Sequence, residues 1–176
     1  TSRFSIRFGR RKLKWPDRYF KISWGYSYSR DKYLSEDREA LINYWQRSNS
    51  NIDSYIDQED GFYSFNTSGV SISQTITRDS RNRPEYPTEG SRVSLSSILA
   101  GSFLGGNHDY LKNSFEINSF SPLTDKLIIS QVFKVGSLNY IENSNANSVV
   151  PISARYFMGG SGMSYGEMLR GYRENS

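Results

Sequence analysis

Large apolar residues recur at every second position along much of this chain. Across residues 20–28 (FKISWGYSY) each even position is aromatic or aliphatic, and the odd positions hold Lys21, Ser23, Gly25 and Ser27. Side chains of a strand point to opposite faces in turn, so this pattern separates one apolar face from one small polar face, which a helix cannot do. Residues 70–77 repeat it with Gln74 as a defect. Phe4, Ile6 and Phe8 alternate with Arg3, Ser5 and Arg7, and Val93 and Leu95 with Arg92, Ser94 and Ser96. Phe115 and Ile117 alternate with Glu116 and Asn118, and Leu127, Ile129, Phe133 and Val135 share a face broken by Gln131. The pattern predicts six strands. Only residues 37–47 read as a helix, with Leu41 and Trp45 four apart and Ser35 or Asp37 as its cap.

The connections alternate in character. Residues 9–17 (around Trp15-Pro16), 79–91 (with Pro84, Pro87 and Gly90) and 122–126 read as compact turns. Residues 30–65, 101–111 and 137 onward read as long connections rich in Asn, Ser, Asp and Gly, hence exposed loops. A soluble sandwich also alternates, so period two alone does not decide the class. Two features favour a transmembrane β-barrel. The polar faces are mostly small and uncharged opposite faces carrying Phe, Trp and Tyr, and short turns alternate with long loops, as in a meander with a periplasmic and an outer end.

Composition narrows the choice further. Of 176 residues 36% are hydrophobic and 15% aromatic, with 13 Tyr and 10 Phe, which excludes whole-chain disorder. No run approaches the roughly 20 apolar residues of a membrane-spanning helix. The absence of Cys removes disulfides, thiolate metal sites and Cys nucleophiles. The net charge of +4 is concentrated in one short run, Arg10-Arg11-Lys12-Leu13-Lys14, which reads as a solvated or lipid-proximal turn; no nucleic-acid partner is expected. The chain starts without Met and opens directly in alternation, so it reads as a fragment of a longer protein or a processed chain.

Candidate chemistry is sparse. Asp57, Glu59 and Asp60 are hard oxygen ligands without the spacing of a Ca²⁺ loop, and read as a solvated acidic loop. His108 beside Asp109 is the lone His and reads as a plain loop residue. No Gly-x-Ser-x-Gly elbow appears. Trp15-Pro16 suits an anchor at a membrane interface. No metal, cofactor or catalytic group is expected.

Three segments carry a family resemblance. Residues 9–20 (GRRKLKWPDRYF), residues 77–92 (TRDSRNRPEYPTEGSR) and residues 155–172 (RYFMGGSGMSYGEMLRGY) occur in that order. Together they resemble the barrel of the BamA family, outer-membrane protein assembly factors, over essentially the whole chain. Arg78-Asp79, followed by Tyr86-Pro87 and Gly90-Ser91-Arg92, is similar to a family turn, and Gly159, Gly160 and Gly162 with Arg170-Gly171-Tyr172 to its long lumen loop.

The resemblance implies an all-β antiparallel meander, about six strands of a roughly sixteen-stranded transmembrane barrel. Residues 1–136 would supply strands and connecting loops, and residues 137–176 a loop folding into the lumen. Turns bearing Trp15, Pro16, Arg78, Asp79, Pro87 and Gly90 would face the periplasm. Arg170 would meet an acidic residue on a later strand. The implied activity is non-enzymatic: folding and inserting β-barrel proteins into the bacterial outer membrane by strand augmentation at a lateral seam. The implied partners are unfolded barrel clients, outer-membrane lipids and accessory lipoproteins. A sister transporter of the TamA branch, a two-partner secretion pore and a soluble β-rich surface module remain open alternatives.

Overall fold

In the computed structural model, residues 1–11, 13, 15, 17–46, 55–141, 148–158 and 166–167 are described. Six long strands form one antiparallel sheet: β1 (Ser2–Arg11), β2 (Phe20–Ser35), β4 (Phe62–Asp79), β5 (Gly90–Ala100), β6 (Tyr110–Thr124) and β7 (Leu127–Tyr140), neighbours in that order. A seventh, short strand, β3 (Asp57–Glu59), pairs with the start of β4. A small parallel pair, β8 (Phe157–Met158) and β9 (Gly166–Glu167), stands apart. Among the described residues one α-helix, α1 (Arg38–Gln46), is found, between β2 and β3.

The register joins the alternating patterns into two continuous faces. Ile6 lies opposite Tyr26, Tyr26 opposite Ile72, and Ile72 opposite Leu99. Lower in the sheet Ile76 faces Leu95, Leu95 faces Phe115, and Phe115 faces Val135. This apolar face stays open: Phe8 is 61% exposed, Phe133 56% and Leu95 43%. A soluble sandwich buries such a face against a second sheet. On the other face small polar side chains meet across strands, Ser27 Oγ to Ser71 Oγ at 2.7 Å and Thr75 Oγ1 to Ser96 Oγ at 3.2 Å. Among the described residues no helix is long and apolar enough to cross a membrane.

Two of the expected loops are shorter than the sequence suggests. β2 runs on to Ser35 and β4 begins at Phe62, so much of the supposed connection 30–65 is a paired hairpin with α1 and β3 at its tip. Arg30, Asp31 and Lys32 break the apolar alternation there, and a strand that has left the apolar band needs none. β7 likewise continues to Tyr140, past the boundary expected after residue 136. The helix is as expected. The Glu39 N–H donates to Asp37 Oδ1 at 2.9 Å, so Asp37 is the cap, and the Asp37 N–H donates to Ser35 Oγ at 3.1 Å, so Ser35 holds the capping residue itself.

Among the described residues the buried hydrophobic core sits beyond the apolar band. Trp45 and Leu41 of α1 pack with Phe65 of β4 and with Val149, flanked by Tyr33, Ile56 and Tyr63. Trp45 is fully buried and meets Tyr33 and Phe65 edge-on, at ring-centroid distances of 5.1 and 5.3 Å. Tyr33, Tyr63 and Phe65 belong to the polar face of the sheet, so α1 and Val149 cover that face at the long-loop end.

Candidate functional site

At the short-turn end, two arginine–carboxylate pairs hold the connections. Arg78 Nε donates to Asp17 Oδ2 at 2.9 Å, tying the end of β4 to the turn before β2, and its guanidinium lies 5.6 Å from the centre of the Tyr19 ring. Partial desolvation pushes the Asp17 carboxyl up, and the Tyr19 N–H with the Arg78 guanidinium outweighs it, so the group sits below its ordinary range. Arg81 grips Asp79 with two parallel bonds of 2.9 Å, which holds the Asp79 carboxyl low and the Arg81 guanidinium high.

The same turn is closed by Ser80 N–H to the Ser91 carbonyl, at 2.9 Å, and by Asn82 against Thr88. Gly90 has φ 96, and a Cβ there would collide with the Ser80 carbonyl, so a glycine is required. Pro87 is half-buried in this turn; Trp15 is 84% exposed. Pro16 lies outside the described residues, as do Gly159, Gly160, Gly162, Arg170, Gly171 and Tyr172.

The long-loop end corrects the reading of the 101–111 connection as an exposed loop with His108 as a plain member of it. Asp109 is fully buried and His108 only 8% exposed. Asp109 Oδ1 accepts the Ser102 N–H and Oδ2 the Ser148 hydroxyl, both at 2.6 Å. Asn107 Oδ1 accepts the Ser68 N–H at 2.7 Å, and the Asn107 N–H donates to the Ser68 carbonyl at 2.8 Å. The Val149 N–H reaches the Asn107 carbonyl at 2.7 Å. The β5–β6 loop is thus stitched to β4 on one side and to the segment following β7 on the other. A Cβ at Gly101, with φ 67, would strike the His108 carbonyl and Asp109 Oδ1; one at Gly69 would strike the His108 ring. In hindsight, the signal was the glycine pair 105–106 directly before three hydrogen-bonding side chains.

His108 faces an open hollow of about 390 Å³, bordered by Arg3, Asp31, Tyr110 and Pro151. Burial pushes its imidazole below the ordinary value, against the pull of the Asp31 and Asp109 carboxylates. Its Nε2 has no hydrogen-bond partner among the described residues. Beyond Val149 the chain stays on the polar face. The Tyr156 ring occupies the space over Gly136, its hydroxyl donates to the Asn113 carbonyl at 2.7 Å, and Lys112 Nζ lies 4.3 Å from its ring centre.

Glu59 pairs with Lys32 at 2.8 Å, and no group of three metal-ligating side chains converges among the described residues.

The Omp85 superfamily domain matches residues 1–176, the whole chain. The chain belongs to the Omp85 superfamily. It is therefore a piece of an outer-membrane β-barrel, which accounts for the open apolar face. Over 154 residues the Omp85 segment is 23% identical to the outer membrane protein assembly factor BamA of Nitratidesulfovibrio vulgaris, covering 88% of this chain and 16% of that protein. Its fold matches the crystal structure of BamA from Haemophilus ducreyi lacking POTRA domains 1–3, with a TM-score of 0.68 and 21% identity, covering 98% of this chain and 30% of that one. The chain thus spans less than a third of either relative's length.

Proposed function

We propose that this segment is part of the barrel of an outer-membrane protein assembly factor, which folds and inserts β-barrel clients. The observation that carries the reading is the pairing of an uncovered apolar face with a polar face onto which the segment after β7 folds back, as Tyr156 does over Gly136. A membrane wall and an inward-turned loop are built into one sheet. The relative named as an assembly factor supports the choice among barrel functions.

The physical need is clear. A strand cannot enter hydrocarbon with unpaired N–H and C=O groups, each costing several kcal/mol. A barrel whose seam offers a strand edge lets a client pair as it inserts, so assembly is catalysed by templating, with no bond made or broken. In this reading residues 141–176 form the loop that enters the lumen. Its Arg170-Gly171-Tyr172 motif is held there by an acidic residue of another strand. The partners are unfolded barrel clients, membrane lipids and accessory lipoproteins.

Depletion of the full-length protein in its host tests the proposal. Newly made barrel proteins in general should then accumulate unfolded. Loss of a single exported substrate, with other barrels assembling normally, would instead assign a sister transporter.

A further inference from the structure

The β5–β6 loop bonds to parts of the chain well outside its own two strands. Asn107 and Asp109 together reach Ser68 on β4, Ser102 in their own loop, Ile141 at the end of β7, and Ser148 and Val149 beyond it. Asp109 is suited to this junction because an ionised carboxylate is acceptor-only, and its two oxygens take one donor each from different segments. The backbone repeats the connection: the Ile141 N–H donates to the Asp109 carbonyl at 3.3 Å and the Asp109 N–H to the Val149 carbonyl at 3.2 Å. The chain leaving β7 and the chain re-entering at Ser148 are therefore both tied to one residue.

We propose that Asp109 is a positioning residue, a buried latch that fixes the root of the segment after β7 against the polar face of the sheet. It thereby sets where the chain leading to Arg170 begins. Glycines at 69 and 101 make room for this arrangement, since a Cβ at either would strike His108 or Asp109. The inference rests on the assembly-factor reading only for its consequence; the latch itself is a statement about this sheet.

The test uses full-length protein in outer membranes, with Ala154→Cys as reporter. Ala154 is 5% exposed and lies within the latched segment. Labelling by a membrane-impermeant maleimide should be slow in this parent. Adding Asp109→Ala removes the acceptor of the half-buried Ser102 N–H and of the buried Ser148 hydroxyl and should speed labelling by about tenfold while heat-modifiable migration of the barrel is retained. Asp109→Asn keeps an acceptor for Ser102 and offers an amide to a hydroxyl that can accept instead, so labelling should return near the parent rate. If Asp109→Ala prevents folding, Ser148→Ala removes one bond alone and should give a smaller increase.

Unchanged labelling in the folded Asp109→Ala or Ser148→Ala protein overturns the latch, as does Asp109→Asn labelling as fast as Asp109→Ala. Growth is scored separately in the same strains. Normal growth and normal barrel assembly after depletion of the protein count against the assembly reading and leave the labelling result to decide the latch.

Discussion

Phe8 and Trp24 stack across β1 and β2 with ring centres 5.6 Å apart, on the face of the sheet that remains open. Their position defines which substitutions the barrel tolerates. Ile72, between Tyr26 and Leu99 on that face, should not accept a charge: Ile72→Arg costs about 2–4 kcal/mol where the side chain meets hydrocarbon. Ser94 lies on the opposite face with Glu116 beside it, and Ser94→Arg should be neutral. Heat-modifiable migration of the full-length variants reads the difference. Equal behaviour of the two would mean that the faces are wrongly assigned.

The helix-bearing hairpin is expected to loosen independently of the wall. Trp45→Ala empties the centre of the aromatic cluster with Tyr33 and Phe65 and should cost about 3–5 kcal/mol within it. External protease should then cut within α1 and its flanks while the barrel keeps its heat-modifiable shift. Loss of the shift would show that this cluster supports the whole barrel.

His108 should make the latch region sensitive to mild acid. Burial holds its folded-state imidazole below the ordinary value of 6.5, so the opened loop binds the proton more readily. Stability is then complete above 6.5 and falls as the pH drops below it. The Asp31 and Asp109 carboxylates offset part of the effect, and Arg3, 3.8 Å from Asp31, weakens that offset. Amide protection at Asn107, Asp109 and Val149 should decline on acidification, and His108→Gln should flatten the decline. An identical decline in the variant would contradict the assignment.

Much of the wall was legible in the sequence, because period two is a local property. Phe4, Ile6 and Phe8 or Val93 and Leu95 declare a face without reference to any partner. What needed the register was not legible. Gln74 reads as an isolated defect, yet it lies opposite Trp24 and Ser97, in a row that continues through Asn113 to Ser137. Ser97 Oγ donates to Asn113 Oδ1 at 2.8 Å, so the polar break is shared across strands. The burial of His108 and Asp109 was hidden for the same reason: Ser148, which bonds to Asp109, and Ser68, which bonds to the adjoining Asn107, are each 39 residues away, in opposite directions.

Arg170→Ala in the full-length protein should impair assembly while the barrel still reaches the membrane. On the proposed pairing of Arg170 with an acidic residue, removing one member of a buried charge pair typically costs about 3–5 kcal/mol. Accumulation of unfolded clients alongside normal levels of the variant is the expected observation. Full growth with normal client folding would remove Arg170 from the mechanism.

Client folding in liposomes tests the central claim most directly. An unfolded barrel client added to vesicles containing the full-length protein, with the accessory lipoproteins proposed for it, should become protease-protected and heat-modifiable well before the same client added to empty vesicles. Equal rates in loaded and empty vesicles would contradict the account.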